Sequence, residues 1–132
     1  MDPLDFLRPA RDLSKSAQEA ERRTSIGRSY FAVFNHVRIR LEPLKPLPET
    51  SDVHNIVVRY LTFANNKELQ SVGQTLKDLR TSRNEADYNM KATIIQDQSR
   101  LALSKAERAI EKSRDITEAT FTAAIRAQAT HR

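Results

Sequence analysis

Several side chains that could bind an anion or move a proton lie close together in this sequence, between Arg80 and Tyr88. Upstream, an apolar stripe recurs at the spacing of one α-helix face, at Leu69, Val72, Leu76 and Leu79. The next step of four residues falls on Arg83. A guanidinium in register with an apolar face is costly to bury unless an anion meets it. Arg83 therefore either faces a partner or substrate, or forms an internal ion pair.

The residues around Arg83 support both interpretations. Arg83 and Asp87 are four residues apart, so they share a helix face if the helix continues that far. The structural interpretation is a local ion pair that ends the helix, and arginines near a helix C-terminus are also favoured by the helix dipole. The functional interpretation rests on Arg80, one turn earlier, because two neighbouring guanidinium groups can bind a phosphate.

The three histidines are His36, His54 and His131. His54 falls in the first turn of a predicted helix, where the dipole lowers the pKa of an imidazole and suits it to act as a base or acceptor. A capping or surface role is the alternative. His36 is expected to be packed or half-exposed, and His131 belongs to the C-terminal tail. No histidine pair has zinc-ligand spacing and the chain has 0 Cys. We therefore expect no metal and no cofactor.

Composition favours a single all-α domain over residues 1–132, with residues 129–132 as a flexible tail. The chain is 39% hydrophobic and 30% charged, and only 2 of its 132 residues are Gly. The net charge of +5 permits binding to nucleic-acid phosphates, but the basic residues are interspersed with 17 acids, as on a generic basic surface. There is no long apolar run and no signal-peptide pattern at the N-terminus, so we expect a cytoplasmic protein without membrane contact. The sequence also lacks a glycine-rich phosphate loop and a Gly-x-Ser-x-Gly elbow, which argues against a conventional kinase or hydrolase.

The apolar pattern predicts a bundle of four to five helices. Asp2 and Pro3 form a helix start, and Pro9 indicates that the main first helix begins near it. Gly27 indicates either a close helix approach or a tolerated glycine. The further helices are predicted over 22–41, over Val53–Leu61 after a cap at Ser51 or Asp52, over 67–85, and from about Lys91 to about Gln128 with an interruption at Asp115 or Thr117.

Three stretches, in order, resemble the HEPN family (higher eukaryotes and prokaryotes nucleotide-binding). Ile26–Phe34 resembles the family's "SRAYYAVFH" stretch, and His54 with Ile56, Val57 and Tyr60 looks like "H-x-G-V-I-x-x-F". Leu79–Tyr88 looks like "L-x-x-x-R-x-x-A-D-Y". The matches cover most of residues 10–110. The resemblance is closest to small stand-alone prokaryotic members, many of them found beside nucleotidyltransferases or in toxin–antitoxin and defence settings.

The resemblance implies an up-and-down bundle that forms a homodimer. In active members, an arginine and a later histidine form a metal-independent ribonuclease site across the dimer. Arg83 matches that arginine and Asn84 the polar residue beside it, but Tyr88 occupies the place of the histidine. A tyrosine, with a pKa near 10, is a poor base at neutral pH.

Three functions follow as expectations. The first is a HEPN-like module that binds RNA, a nucleotide or a partner protein, such as a nucleotidyltransferase or an antitoxin. Its expected binding residues are Arg28, Tyr30, Arg80, Arg83, Asn84 and Asp87. The second is a metal-independent endoribonuclease, acting as a toxin or defence effector, that uses Arg83 with Tyr88 or His54 in the missing role. The third is a helical interaction protein in which the Arg83–Asp87 pair is purely structural.

Overall fold

The computed structural model describes residues 2–127, which form one short 3-10 helix and six α-helices and contain no strand. The elements are the 3-10 helix Pro3–Phe6, α1 (Leu7–Ser14), α2 (Glu19–Leu41), α3 (Val53–Thr62), α4 (Lys67–Tyr88), α5 (Gln96–Arg114) and α6 (Glu118–Arg126). The prediction of an all-α fold is confirmed. The predicted four to five helices are six within this range, because the last predicted segment divides into α5 and α6. The predicted tail, residues 129–132, lies outside the described residues, as does His131.

Several helices begin at the capping residues and prolines that are typical of helix N-termini. Asp2 Oδ1 accepts a hydrogen bond from the backbone N–H of Leu4 at 2.9 Å, and Pro3 occupies the first helical position. Pro9 lies in the first turn of α1, where the missing N–H is not needed, so this helix does not break there. Asn66 caps α4 and Thr117 caps α6 in the same way as Asp2.

The core is built around α2, which packs against α1, α4 and α5, while α4 also packs against α3 and α5. The predicted apolar stripe of α4 is buried along its whole length, from Leu69 to Leu79. On α5, Ala102, Ala106 and Ala109 are buried, and their small side chains permit close packing. Ile95, which lies within the helical segment predicted from about Lys91, precedes α5 and is 52% exposed. None of the described helices is both long enough and apolar enough to cross a bilayer.

The two glycines have different surroundings. A Cβ on Gly73 would meet Leu61 Cβ and Thr62 Cγ2, each at 2.9 Å, so the absence of a side chain lets α3 and α4 approach closely. A Cβ on Gly27 would have no neighbour within 4 Å. The close helix approach considered for Gly27 therefore occurs at Gly73, and Gly27 faces open space.

The connection between α4 and α5 is held by the first turns of α2. Arg23 Nη1 donates to the carbonyls of Ala86 at 2.7 Å and Asn89 at 3.0 Å, and Arg22 Nε donates to Ile94 O at 2.8 Å. Glu19 Oε1 accepts the backbone N–H of Ile94, and this hydrogen bond is the main reason why the pKa of Glu19 is lowered. These contacts determine where α4 ends.

Candidate functional site

The candidate site lies where the last turns of α4 meet α2 and α3. The helix continues to Tyr88, three residues beyond the predicted end at residue 85, so Arg83 and Asp87 do share a face. Arg83 Nε and Asp87 Oδ2 are 2.8 Å apart, and the two side chains are 20% and 35% exposed. The predicted ion pair is therefore present, at a partly exposed position rather than in a closed core.

Aromatic rings surround the Arg83 guanidinium. Its Cζ lies 5.2 Å from the ring centre of Phe31, 5.9 Å from that of Tyr30 and 5.8 Å from that of Tyr88. Ring faces attract a cation but accept few directed hydrogen bonds. Nε is buried and donates no hydrogen bond to any described residue, although it is close to Asp87. The contact is thus an ion pair without a well-aimed hydrogen bond, and Asp87 is the carboxylate partner of Arg83 within residues 2–127.

Tyr30 connects α2 to His54 on α3. The Tyr30 hydroxyl forms a short hydrogen bond with His54 Nδ1, and the His54 ring packs against Phe34 with ring centres 4.3 Å apart. Burial raises the pKa of Tyr30, so its phenol stays protonated. A buried hydroxyl proton needs an acceptor, and His54 Nδ1 fills that role. We infer that neutral His54 carries its own proton on Nε2.

The electrostatic surroundings of His54 are positive. Burial is the largest cause that lowers the pKa of His54, followed by the charges of Arg80, Arg83 and Arg38. Each of these causes disfavours the imidazolium. The prediction that His54 is neutral therefore agrees with the structure, but burial and neighbouring arginines are the causes, where the sequence suggested the helix dipole.

Arg80 is positioned by a residue that the sequence did not single out. Its Nη1 donates to Asn55 Oδ1 at 2.7 Å, which ties α4 to the first turn of α3. Asn55 directly follows His54, so one turn of α3 contributes both residues. The only available signal was this adjacency, because nothing in the sequence pairs residue 55 with residue 80.

The other predicted site residues are placed less centrally. Arg28 lies over the Phe6 ring at 5.8 Å, and with Gly27, Phe31 and Asp87 it lines a concavity of about 180 Å³ beside the ion pair. Tyr88 is 70% exposed, with its ring near Arg83. Asn84 is exposed on the same helix.

A second cluster of histidine, arginine and aromatic ring lies at the C-terminal end of α2. His36 Nε2 is 2.8 Å from Ser113 Oγ, and burial, with the charge of Arg40, lowers the pKa of His36 to about 4. Arg40 donates to the carbonyls of Ser113 and Ile116 and to Glu118, and its Cζ lies 4.1 Å from the Phe121 ring centre. This cluster closes the C-terminal end of α5. Within residues 2–127, no group of three or more potential metal-ligating side chains is close enough to hold an ion.

Comparison with known proteins identifies a relative whose name assigns no function. The chain is 33% identical to an uncharacterized protein of Methanocaldococcus jannaschii, over 69% of this chain and 65% of that protein. The chain thus spans 65% of the relative's length. No family model and no solved structure matches.

Proposed function

We propose that this chain is a HEPN-like module that binds single-stranded RNA through Arg83, Arg80 and His54. The observation that carries the proposal is the state of Arg83. Its guanidinium lies among three aromatic rings, has one partly exposed carboxylate partner among the described residues, and leaves a buried Nε without a hydrogen bond. Because Nε is buried, the four N–H donors of Nη1 and Nη2 are the ones that this arginine retains for an oxygen-rich anion.

The neighbouring groups complement a phosphate. Arg80 and Arg83 both influence His54 electrostatically, and neutral His54 donates from Nε2 in the tautomer inferred above. Of the rings near Arg83, Tyr30 is fully buried, but exposed Tyr88 and half-buried Phe31 provide faces on which an unpaired base can stack, a common feature of single-strand binding. Positive charge, a neutral donor and ring faces together favour a phosphodiester strand over a simple anion.

Metal-independent RNA cleavage is the second candidate, favoured by the placement of His54 beside the two arginines. Cleavage needs a base to remove the ribose 2′-hydroxyl proton, so that this oxygen attacks phosphorus while the P–O5′ bond breaks and an acid protonates O5′. Neutral His54, with its proton on Nε2, can donate a hydrogen bond but is a poor acid, because burial and the neighbouring arginines disfavour the imidazolium. The acid and the base of a cleavage reaction therefore both remain unassigned. Binding is therefore the better supported function.

The proposal is tested by measuring the affinity of the purified protein for a fluorescent single-stranded uridine octanucleotide in EDTA. Arg83→Met keeps an unbranched side chain among the rings but removes the charge, and we expect it to raise Kd by at least about 10-fold. Asp87→Asn removes the competing internal anion, and we expect it to lower Kd. Product analysis of the same samples tests cleavage.

The matched control is Arg11→Met, because Arg11 also pairs with a carboxylate, Glu107, at 2.9 Å. It should leave Kd within about 2-fold of the wild type, since it lies outside the proposed site. An Arg83→Met protein that binds as tightly as the wild type and only melts at a lower temperature would support the purely structural role of the ion pair. Cleavage that disappears in Arg83→Met and His54→Gln would support the ribonuclease.

The homodimer and the nucleotidyltransferase-type or antitoxin partner stay predictions from the resemblance. Exposed apolar side chains from the end of α4, through the connection, to the first half of α5 are consistent with a protein contact there. They are Tyr88, Met90, Ile95 and Leu101. Sedimentation at micromolar concentrations tests the dimer, and a single monomeric species would contradict it.

A further inference from the structure

A groove between α3 and α4 lies next to the Arg83 site. It has a volume of about 300 Å³ and is lined by Asn55, Val58, Arg59, Thr62, Phe63, Lys77 and Arg80. Three of these residues are cationic and none is acidic. Arg80 belongs to both the groove and the surroundings of His54, so the two features are continuous.

The groove follows from how α3 and α4 pack. Gly73 allows the two helices to approach closely near Leu61 and Thr62. From there, the helix period places Lys77, Arg80 and Arg83 at successive steps of three along α4, and Arg59 faces them from α3. At about 1.5 Å per residue, Lys77 and Arg83 are separated by about 9 Å along the helix axis. A row of cations of this length is suited to more than one phosphate.

The walls of the groove have the two kinds of group that single-strand sites combine. Val58 and Phe63 supply apolar surface, while Arg59 and Lys77, both exposed, supply charge. Arg80 is held by its hydrogen bond to Asn55 and so is already oriented before a ligand arrives. An acidic peptide would meet the same charges, but the row that leads to Arg83 and His54 favours a repeating phosphate backbone.

We propose that the α3–α4 groove is a second subsite, which binds the next phosphate along the strand from the one held at Arg83. This inference rests on the proposed function, because it takes single-stranded RNA as the ligand. It adds residues that the sequence did not single out, Arg59, Lys77 and Phe63, and it gives the bound strand a direction along α4. It also implies a minimum ligand length, since a dinucleotide has one internucleotide phosphate and cannot fill both subsites.

The experiment compares a fluorescent uridine dinucleotide with the octanucleotide. In the double variant Arg59→Gln/Lys77→Gln, we expect the octanucleotide Kd to rise about 10-fold and the dinucleotide Kd to change by less than about 2-fold. The dependence of the octanucleotide log K on log salt concentration should become shallower by about 1.4, at about 0.7 for each lost phosphate contact. The control Arg100→Gln/Arg108→Gln removes the same charge from exposed positions on α5.

The outcomes separate this inference from the proposed function. If Arg83→Met loses binding while Arg59→Gln/Lys77→Gln binds the octanucleotide like the wild type, the groove is not a subsite and the proposed function stands. An equal loss of octanucleotide affinity in the α5 control would also contradict the proposed subsite, because the affinity would then depend only on net charge. If the groove variant loses binding and Arg83→Met does not, the groove binds RNA and the Arg83-centred function is wrong. A wild-type protein that binds neither oligonucleotide contradicts both.

Discussion

Two clusters along α2, one around Arg83 beside the middle of the helix and one around Arg40 at its C-terminal end, contain the same kinds of residue, yet they use them differently. Around Arg40, the guanidinium donates to backbone carbonyls of Ser113 and Ile116, stacks on Phe121, and leaves only Nε without a partner among the described residues. Around Arg83, one carboxylate and three ring faces are the described contacts. Arg40 thus supplies donors to the carbonyls at the end of α5, whereas Arg83 retains N–H donors for a ligand. The residue types alone do not distinguish a structural cluster from a binding site. The two are distinguished by whether the N–H donors of the arginine are already bound to acceptors within the protein.

The largest expected effect on stability is at the cluster of His36, Arg40 and Phe121, which we call the closed cluster. Arg40→Met removes four hydrogen bonds and leaves the carbonyls at the end of α5 without their donor. We expect the free energy of unfolding to fall by about 3 kcal/mol, because buried acceptors lose their partners. Urea denaturation followed by circular dichroism measures this change.

Arg83→Met provides the contrast in the same measurement. A partly exposed ion pair four residues apart contributes little, so its loss should cost less than about 1 kcal/mol. Equal destabilisation by the two variants would break the comparison and make both clusters structural.

The pH dependence of stability sharpens the same contrast. The pKa of His36 is about 4 in the folded chain, below its ordinary value of 6.5. Above pH 6.5, His36 is neutral in both states and adds no pH dependence. As the pH falls from about 6.5 to about 4, the unfolded chain takes up the proton first, so the free energy of unfolding should fall by about 2–3 kcal/mol.

The test is urea denaturation at about pH 7 and about pH 4.5, for the wild type and His36→Gln. The variant lacks the titrating ring, so its loss of stability between the two pH values should be smaller. The pKa of His54 is lowered too, and His54→Gln is the matched comparison. An unchanged pH dependence in His36→Gln would show that His36 is not held neutral by the closed cluster.

The smallest effect on stability is expected at Gly27, beside the cluster around Arg83. Open space at this position lets alanine fit, and its better helix propensity should stabilise α2 by about 0.5–1 kcal/mol. The added methyl group also narrows the concavity shared with Arg28, Phe31 and Asp87. We therefore expect a higher melting temperature together with weaker octanucleotide binding. A stabilised variant with unchanged affinity would indicate that this concavity lies outside the RNA path.

Local sequence patterns were sufficient to predict most of the fold and one contact of the candidate site. The Asp2 cap, the buried stripe from Leu69 to Leu79 and the Arg83–Asp87 pair each depend on residues within a few positions of one another. The end of α4 was predicted three residues early, because Arg23 and Glu19, more than 60 residues away, hold the connection that follows it. The helical segment predicted from about Lys91 begins at Gln96 in the structure, since periodicity alone does not reveal where a helix begins.

The sequence by itself determined the helices, the basic character and the position of Arg83 in register with the core. Helix period and capping act over three or four residues, so these features are readable from the chain. Only the tertiary structure decided that Tyr30 and His54 meet, that Asn55 orients Arg80, and that Arg59 and Lys77 face one groove. These arrangements depend on how α2, α3 and α4 pack. Packing is set by the sum of many apolar contacts between distant segments, which no local spacing records.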